Sequence, residues 1–91
     1  MIQTFRVDEE HCIDLAGLVL LSTPHLIWEL EHAAIELLQN SLDEGEISLG
    51  IHLNLEHRSP ATVGDEVRCR AKVVHREGPL VTFQISAEAN G

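Results

Sequence analysis

Cations are scarce in this chain. Six Lys and Arg stand against fifteen Asp and Glu, a formal charge of -9 with histidine neutral. A nucleic-acid-binding surface needs the opposite balance, because its affinity comes from neutralising phosphates. An anionic membrane surface is disfavoured for the same reason. Cysteine is almost as rare: Cys12 and Cys69 are the only two, with no CxxC pattern. They predict reduced thiols in a cytoplasmic setting rather than a disulfide framework. The apolar stretch Ile13 to Leu21 is broken by Asp14 and has no basic leader, so it predicts neither a membrane span nor a signal peptide. Internal repeats, low-complexity tracts, glycine-rich phosphate loops, a GxSxG elbow and zinc-type Cys/His spacing are missing as well.

What remains is enough for one domain over residues 1–91, with 44% hydrophobic residues to fill a core. Alternation over Ile2 to Val7 predicts a first strand with Phe5 and Val7 on one side. Asp8 to Leu21 has no clean period and reads as a loop. Thr23-Pro24 reads as a helix start, Thr as the cap and Pro in the first turn, and the helical period continues to about Asn40 before Ser41 to Gly45 ends it. Three strands are expected next: Glu46 to His57, Asp65 to Arg76 and Leu80 to Ala89, separated by turns at Ser59 to Gly64 and at Gly78-Pro79. In the second strand Val67, Cys69, Ala71 and Val73 alternate with Arg68, Arg70 and Lys72. One long helix and amphipathic antiparallel strands make an α+β fold, with the sheet wrapped around a central helix. The chain closes on Asn90-Gly91, a hairpin signal.

Two residues break the apolar patterns. At about 100° per residue, Leu26, Ile27, Leu30, Ala33, Ala34, Leu37 and Leu38 form the core stripe, widened by Trp28 and Ile35. Glu31 falls inside that arc, between Leu38 and Ile35. In the strand of Ile47, Leu49, Ile51, Leu53 and Leu55, the next position of the same parity is His57. A carboxylate and an imidazole directed at an interior are unfavourable unless paired or used.

The string Ser22-Thr23-Pro24, Glu31, Ser48-Leu49-Gly50, His57 and Gly64-Asp65-Glu66-Val67 resembles the hotdog-fold acyl-CoA thioesterases, in the branch of the fluoroacetyl-CoA thioesterase. Thr, Glu and His follow at spacings of eight and twenty-six, and Gly50 lies seven before the His. The resemblance implies Thr23, Glu31 and His57 as a catalytic set, Gly50 beside the substrate carbonyl, and active sites built by a homodimer or higher assembly. It implies no metal and no cofactor. Two departures are visible. The family's aromatic lid before the helix has no counterpart, because Asp8 to Ser22 holds no Phe, Tyr or Trp. The family also carries a final strand beyond the position of Gly91, which is missing from this sequence.

Each residue also has a plainer reading. Thr23 alone reads first as a helix cap, His57 as a satisfied structural histidine, and Gly50 as a bulge. Glu31 is harder to dismiss, since unpaired carboxylates in an apolar arc are uncommon. The stripe His25, Glu29, His32 and Glu36 has metal-compatible spacing but is expected to be a solvated helix face. Arg58, Arg68, Arg70, Lys72 and Arg76 either face the phosphates of coenzyme A or form an exposed strand face, and the second is expected. The function expected is hydrolysis of a short or medium acyl-CoA thioester. The alternative is a noncatalytic hotdog module that binds acyl-CoA or a small ligand. A hotdog hydratase fits the Thr, Glu and His spacing less well.

Overall fold

Alternating side chains near the C-terminus organise the sheet. In the computed structural model, which describes residues 2–90, β4 (Glu66–Glu77) pairs antiparallel with β5 (Leu80–Ala89), from Val67 opposite Ala89 to Glu77 opposite Leu80. The reversal uses Gly78 at φ +57, a conformation that glycine adopts without strain. β1 (Ile2–Arg6) joins the other edge of β4, placing Phe5 opposite Val67, so the sheet order is β1-β4-β5. Val67, Cys69 and Ala71 are buried as expected, and Val81, Phe83 and Ile85 are half-buried. Val73 is not: it is 46% exposed. The pairing slips between Val73 and His75, and twelve residues of β4 extend about 40 Å, past the end of the helix, leaving nothing to cover this part of the ribbon.

The helix α1 (Thr23–Leu38) has sixteen residues and runs about 24 Å. Its cap is Ser22, not Thr23 as the sequence suggested: the Ser22 hydroxyl accepts the His25 N–H at 3.2 Å, and Pro24 sits in the first turn. Leu26, Leu30 and Ala33 face the sheet and pack with Val7, Leu21, Ala61, Val67, Cys69 and Ala71. Small residues on both sides let helix and sheet approach closely, and Ala33 has no exposed surface left. The apolar arc of the helix is wider than this contact, so the side carrying Ile27, Glu31 and Ile35 lies outside the buried face.

Asp8 to Leu21 is more ordered than a loop. A 3-10 turn at Glu9–His11, capped by Asp8, leads into β2 (Cys12–Leu15) and β3 (Leu18–Leu21), an antiparallel hairpin. The two turn residues, Ala16 and Gly17, both have positive φ, 53 and 88, and the Gly17 N–H donates to Asp14 at 2.9 Å. Alanine in place of the usual Asn or Gly at the first turn position hid the signal. The hairpin is fastened to the 61–62 segment by Leu21 N–H to Ala61 O at 2.7 Å and by the Thr62 hydroxyl to Val19 O at 2.9 Å.

The largest correction concerns Glu46 to His57, which forms no strand. Ile47, Leu49, Ile51 and Leu53 are 89, 82, 74 and 54% exposed, and only Leu55 packs against the core. An alternating pattern makes a segment fit for a sheet, but a strand exists only when a neighbour pairs its amides and carbonyls. Among the described residues this segment has no such neighbour, and neither does the outer edge of β5. Asn90 adopts the left-handed conformation at φ 59, and its side chain bonds to Glu66 and Asp65 at the start of β4. The hydrogen bonds from Thr62 and Asn90 hold the Asp65 carboxyl below its usual range.

Candidate active site

Because Ser22 does the capping, the Thr23 hydroxyl at the start of α1 is free for other work. It lies 2.7 Å from His57 Nδ1. That distance is a hydrogen bond whose direction depends on the histidine tautomer. His57 is held in place from both sides in sequence: Leu55 packs against the core, and Ala61 is buried and bonded to Leu21. The pair borders a cleft of about 250 Å³. Ile13, Leu15, Leu20 and Leu21 of the hairpin make its aliphatic wall, and Arg58, Ser59 and Pro60 complete the side next to His57. These hairpin residues were absent from the sequence-based site, because their role depends on a turn that Ala16 disguises.

Like His57, which the strand parity also directed inward, Glu31 is exposed, not interior. Its partner in space is Gly50: a Cβ added there would come within 2.9 Å of Glu31 Oε2. The atom crowded is the far end of a flexible, exposed side chain, so a larger residue at position 50 would displace the carboxylate rather than be barred by the backbone. Glu31 follows Thr23 by eight positions on the helix, about 12 Å along the axis, and the chain from Gly50 to His57 passes along the helix in the opposite direction. The structure thus brings Thr23 to His57 and Glu31 to Gly50. It does not place Glu31 in the cleft beside Thr23 and His57.

The helix stripe is only partly solvated. His25 Nε2 meets Glu29 Oε1 at 3.1 Å, half-buried, and His32 donates from Nδ1 to the Trp28 carbonyl at 2.7 Å. The rings of His11, His25, Trp28 and His32 stack in a row, with 3.8 Å between the centres of the first two and 3.7 Å between the last two. No group of three or more potential metal ligands occurs among the described residues. Burial, aided by the Glu29 charge, pushes the Cys69 thiol up to about 11, which removes it as a nucleophile at neutral pH. Burial and the charges of Asp8 and Glu9 also raise Cys12. Arg68, Arg70 and Lys72 lie on the sheet face turned from the helix, where Arg70 approaches Glu88 at 3.8 Å, as expected of an exposed strand face. Arg58 alone of the five lines the cleft.

The sequence matches the family described as fluoroacetyl-CoA-specific thioesterase over residues 7–91. No curated protein matches it. Among solved structures, a mutant of the fluoroacetyl-CoA-specific thioesterase FlK, crystallised with fluoroacetate and CoA, is similar with a TM-score of 0.90 and 20% identity, covering 97% of this chain and 76% of that one. At that identity the likeness establishes a shared fold, with one helix packed against antiparallel strands.

Proposed function

Since the chain belongs to the fluoroacetyl-CoA-specific thioesterase family and is a thioester hydrolase of hotdog fold, we propose that Thr23, Glu31 and His57 are its catalytic set. Gly50 lies beside the thioester, and the substrate is a short or medium acyl-CoA. The observation that carries this reading is the Thr23 hydroxyl, released from capping by Ser22 and bonded to His57 at the mouth of a cleft.

Hydrolysis needs a nucleophile or base, an acid and donors for the oxyanion. Glu31 either takes a proton from the attacking water or adds to the carbonyl carbon itself, giving an anhydride that water then opens. The C–S bond breaks and His57 delivers the proton to the departing sulfur. The products are the carboxylic acid and the thiol of coenzyme A. The Thr23 hydroxyl orients the carbonyl or the water, and Gly50 leaves room at the carboxylate. Thiol release from acetyl-, butyryl- and fluoroacetyl-CoA tests the activity; a chain that releases thiol from none of them sinks it.

The same panel tests specificity. The cleft wall is aliphatic and residues 8–22 supply no aromatic gate, so an apolar cavity distinguishes fluoroacetyl from acetyl by less than about a hundredfold. A larger preference would contradict this.

For Glu31 to act on the same carbonyl as Thr23 and His57, the two half-sites must be completed by assembly. Ile47, Leu49, Ile51 and Leu53 offer a row of exposed apolar side chains, and β5 offers an unpaired edge. Both features support a homodimer or larger homo-oligomer. Sedimentation at micromolar concentration is expected to show association; a stable monomer with freely exchanging amides over residues 46–58 argues against it. Two free cysteines support a reducing, cytoplasmic setting. No helix among the described residues is long and apolar enough to cross a membrane.

A further inference from the structure

The cleft has one cation, and its position points to a substrate feature. Arg6, Arg68, Arg70 and Lys72 occupy the outer face of the β1-β4-β5 sheet, and Arg76 lies towards the far end of β4. Arg58 is the remaining cation of a chain with formal charge -9. It borders the cleft together with the residue before it, His57. Neighbours in an extended backbone ordinarily face opposite ways; here both border the same opening, next to Ser59 and Pro60.

The Arg58 guanidinium is already oriented. Its Nε donates to Glu56 Oε2 at 2.6 Å and its Nη2 pairs with the same oxygen, while both side chains stay mostly exposed. The contact uses one side of the guanidinium and leaves the outer Nη1–Nη2 edge to accept a planar anion through two parallel hydrogen bonds. Across the cleft stand Ile13, Leu15, Leu20 and Leu21, which suit methylene groups.

We propose that this thioesterase favours acyl groups ending in a carboxylate, with Arg58 as the residue that reads it; the inference rests on the thioesterase reading of the same cleft. A carbonyl placed at Thr23 and His57 puts the distal end of a short acyl chain within reach of the next side chain. The phosphates of coenzyme A, by contrast, lie at the far end of the pantetheine arm. Without a local cation, a chain this acidic would repel an anionic acyl group. Glu56 holds Arg58 in readiness but competes with the substrate for its charge.

Matched four-carbon substrates test this: succinyl-CoA against butyryl-CoA, compared as a ratio of kcat/KM. Arg58→Met is expected to lower the succinyl-to-butyryl ratio about tenfold or more, and Glu56→Gln to raise it. An unchanged ratio in Arg58→Met overturns the proposal. So does an equal loss on both substrates, which would assign Arg58 to the phosphates. If the protein hydrolyses neither thioester, the catalytic reading fails separately, and calorimetry with the thioethers S-(3-carboxypropyl)- and S-butyl-coenzyme A decides the role of Arg58. Tighter binding of the carboxylated analogue that Arg58→Met abolishes upholds it, and equal binding of the two overturns it.

Discussion

Glu31→Gln is expected to lower acyl-CoA turnover by roughly 10²- to 10⁴-fold, the range that a positioned acid or base contributes, while the thermal midpoint moves little. The substitution keeps the shape and removes the charge that attacks or draws off a proton. Its small effect on stability follows from exposure, since surface changes away from special contacts usually stay within about 0.5 kcal/mol. An interior carboxylate would behave differently, and its neutralisation would raise the midpoint. Gly50→Ala is the companion variant. Its new Cβ would crowd Glu31 Oε2 at 2.9 Å, so it should reduce kcat with the carboxylate still present. Thiol release and scanning calorimetry on the same preparations check both, and parental turnover in Glu31→Gln removes the residue from the mechanism.

The second large effect is expected at His57. His57→Gln removes the proton carrier for the leaving sulfur and should reduce kcat about 10²-fold or more. Thr23→Val should cost less, since it removes a hydroxyl that orients and leaves the imidazole in place. Because the two side chains are bonded at 2.7 Å, their effects should not add. The double variant is expected to be little worse than His57→Gln alone, as for groups that act as a unit. Full additivity in kcat would mean that the two side chains act independently and that their hydrogen bond has no part in turnover.

Two residues of the candidate site are legible because they violate a period, while Thr23 and Gly50 are singled out only by the family resemblance. Glu31 sits in an apolar arc and His57 continues an apolar parity, and such exceptions stand out against a regular background. The core followed from the same periods: Leu26, Leu30, Val67, Cys69 and Ala71 are buried where the alternation and the helical repeat put them. What could not be read were properties that depend on a neighbour. Residues 46–58 have the alternation of a strand but no partner to pair with among the described residues. Glu31 lies in the apolar arc but beside the face of the helix that the sheet buries through Leu26, Leu30 and Ala33. The β2-β3 hairpin carries no turn signal in the sequence, because Ala16 adopts the left-handed conformation usually taken by Asn or Gly. Thr23 and Ser22 are adjacent and both able to cap; only the geometry shows that Ser22 does so, and this frees the hydroxyl that the proposed chemistry uses.

The most direct test is a crystal structure with an acyl-CoA analogue whose thioester sulfur is replaced by methylene, so that the carbonyl remains and cannot be hydrolysed. The account predicts the carbonyl within hydrogen-bond reach of Thr23 or His57, with the Glu31 carboxylate facing its carbon and Gly50 alongside, in an assembled protein. A carbonyl bound away from these side chains, with Thr23 still bonded to His57 and Glu31 still facing solvent, would contradict it.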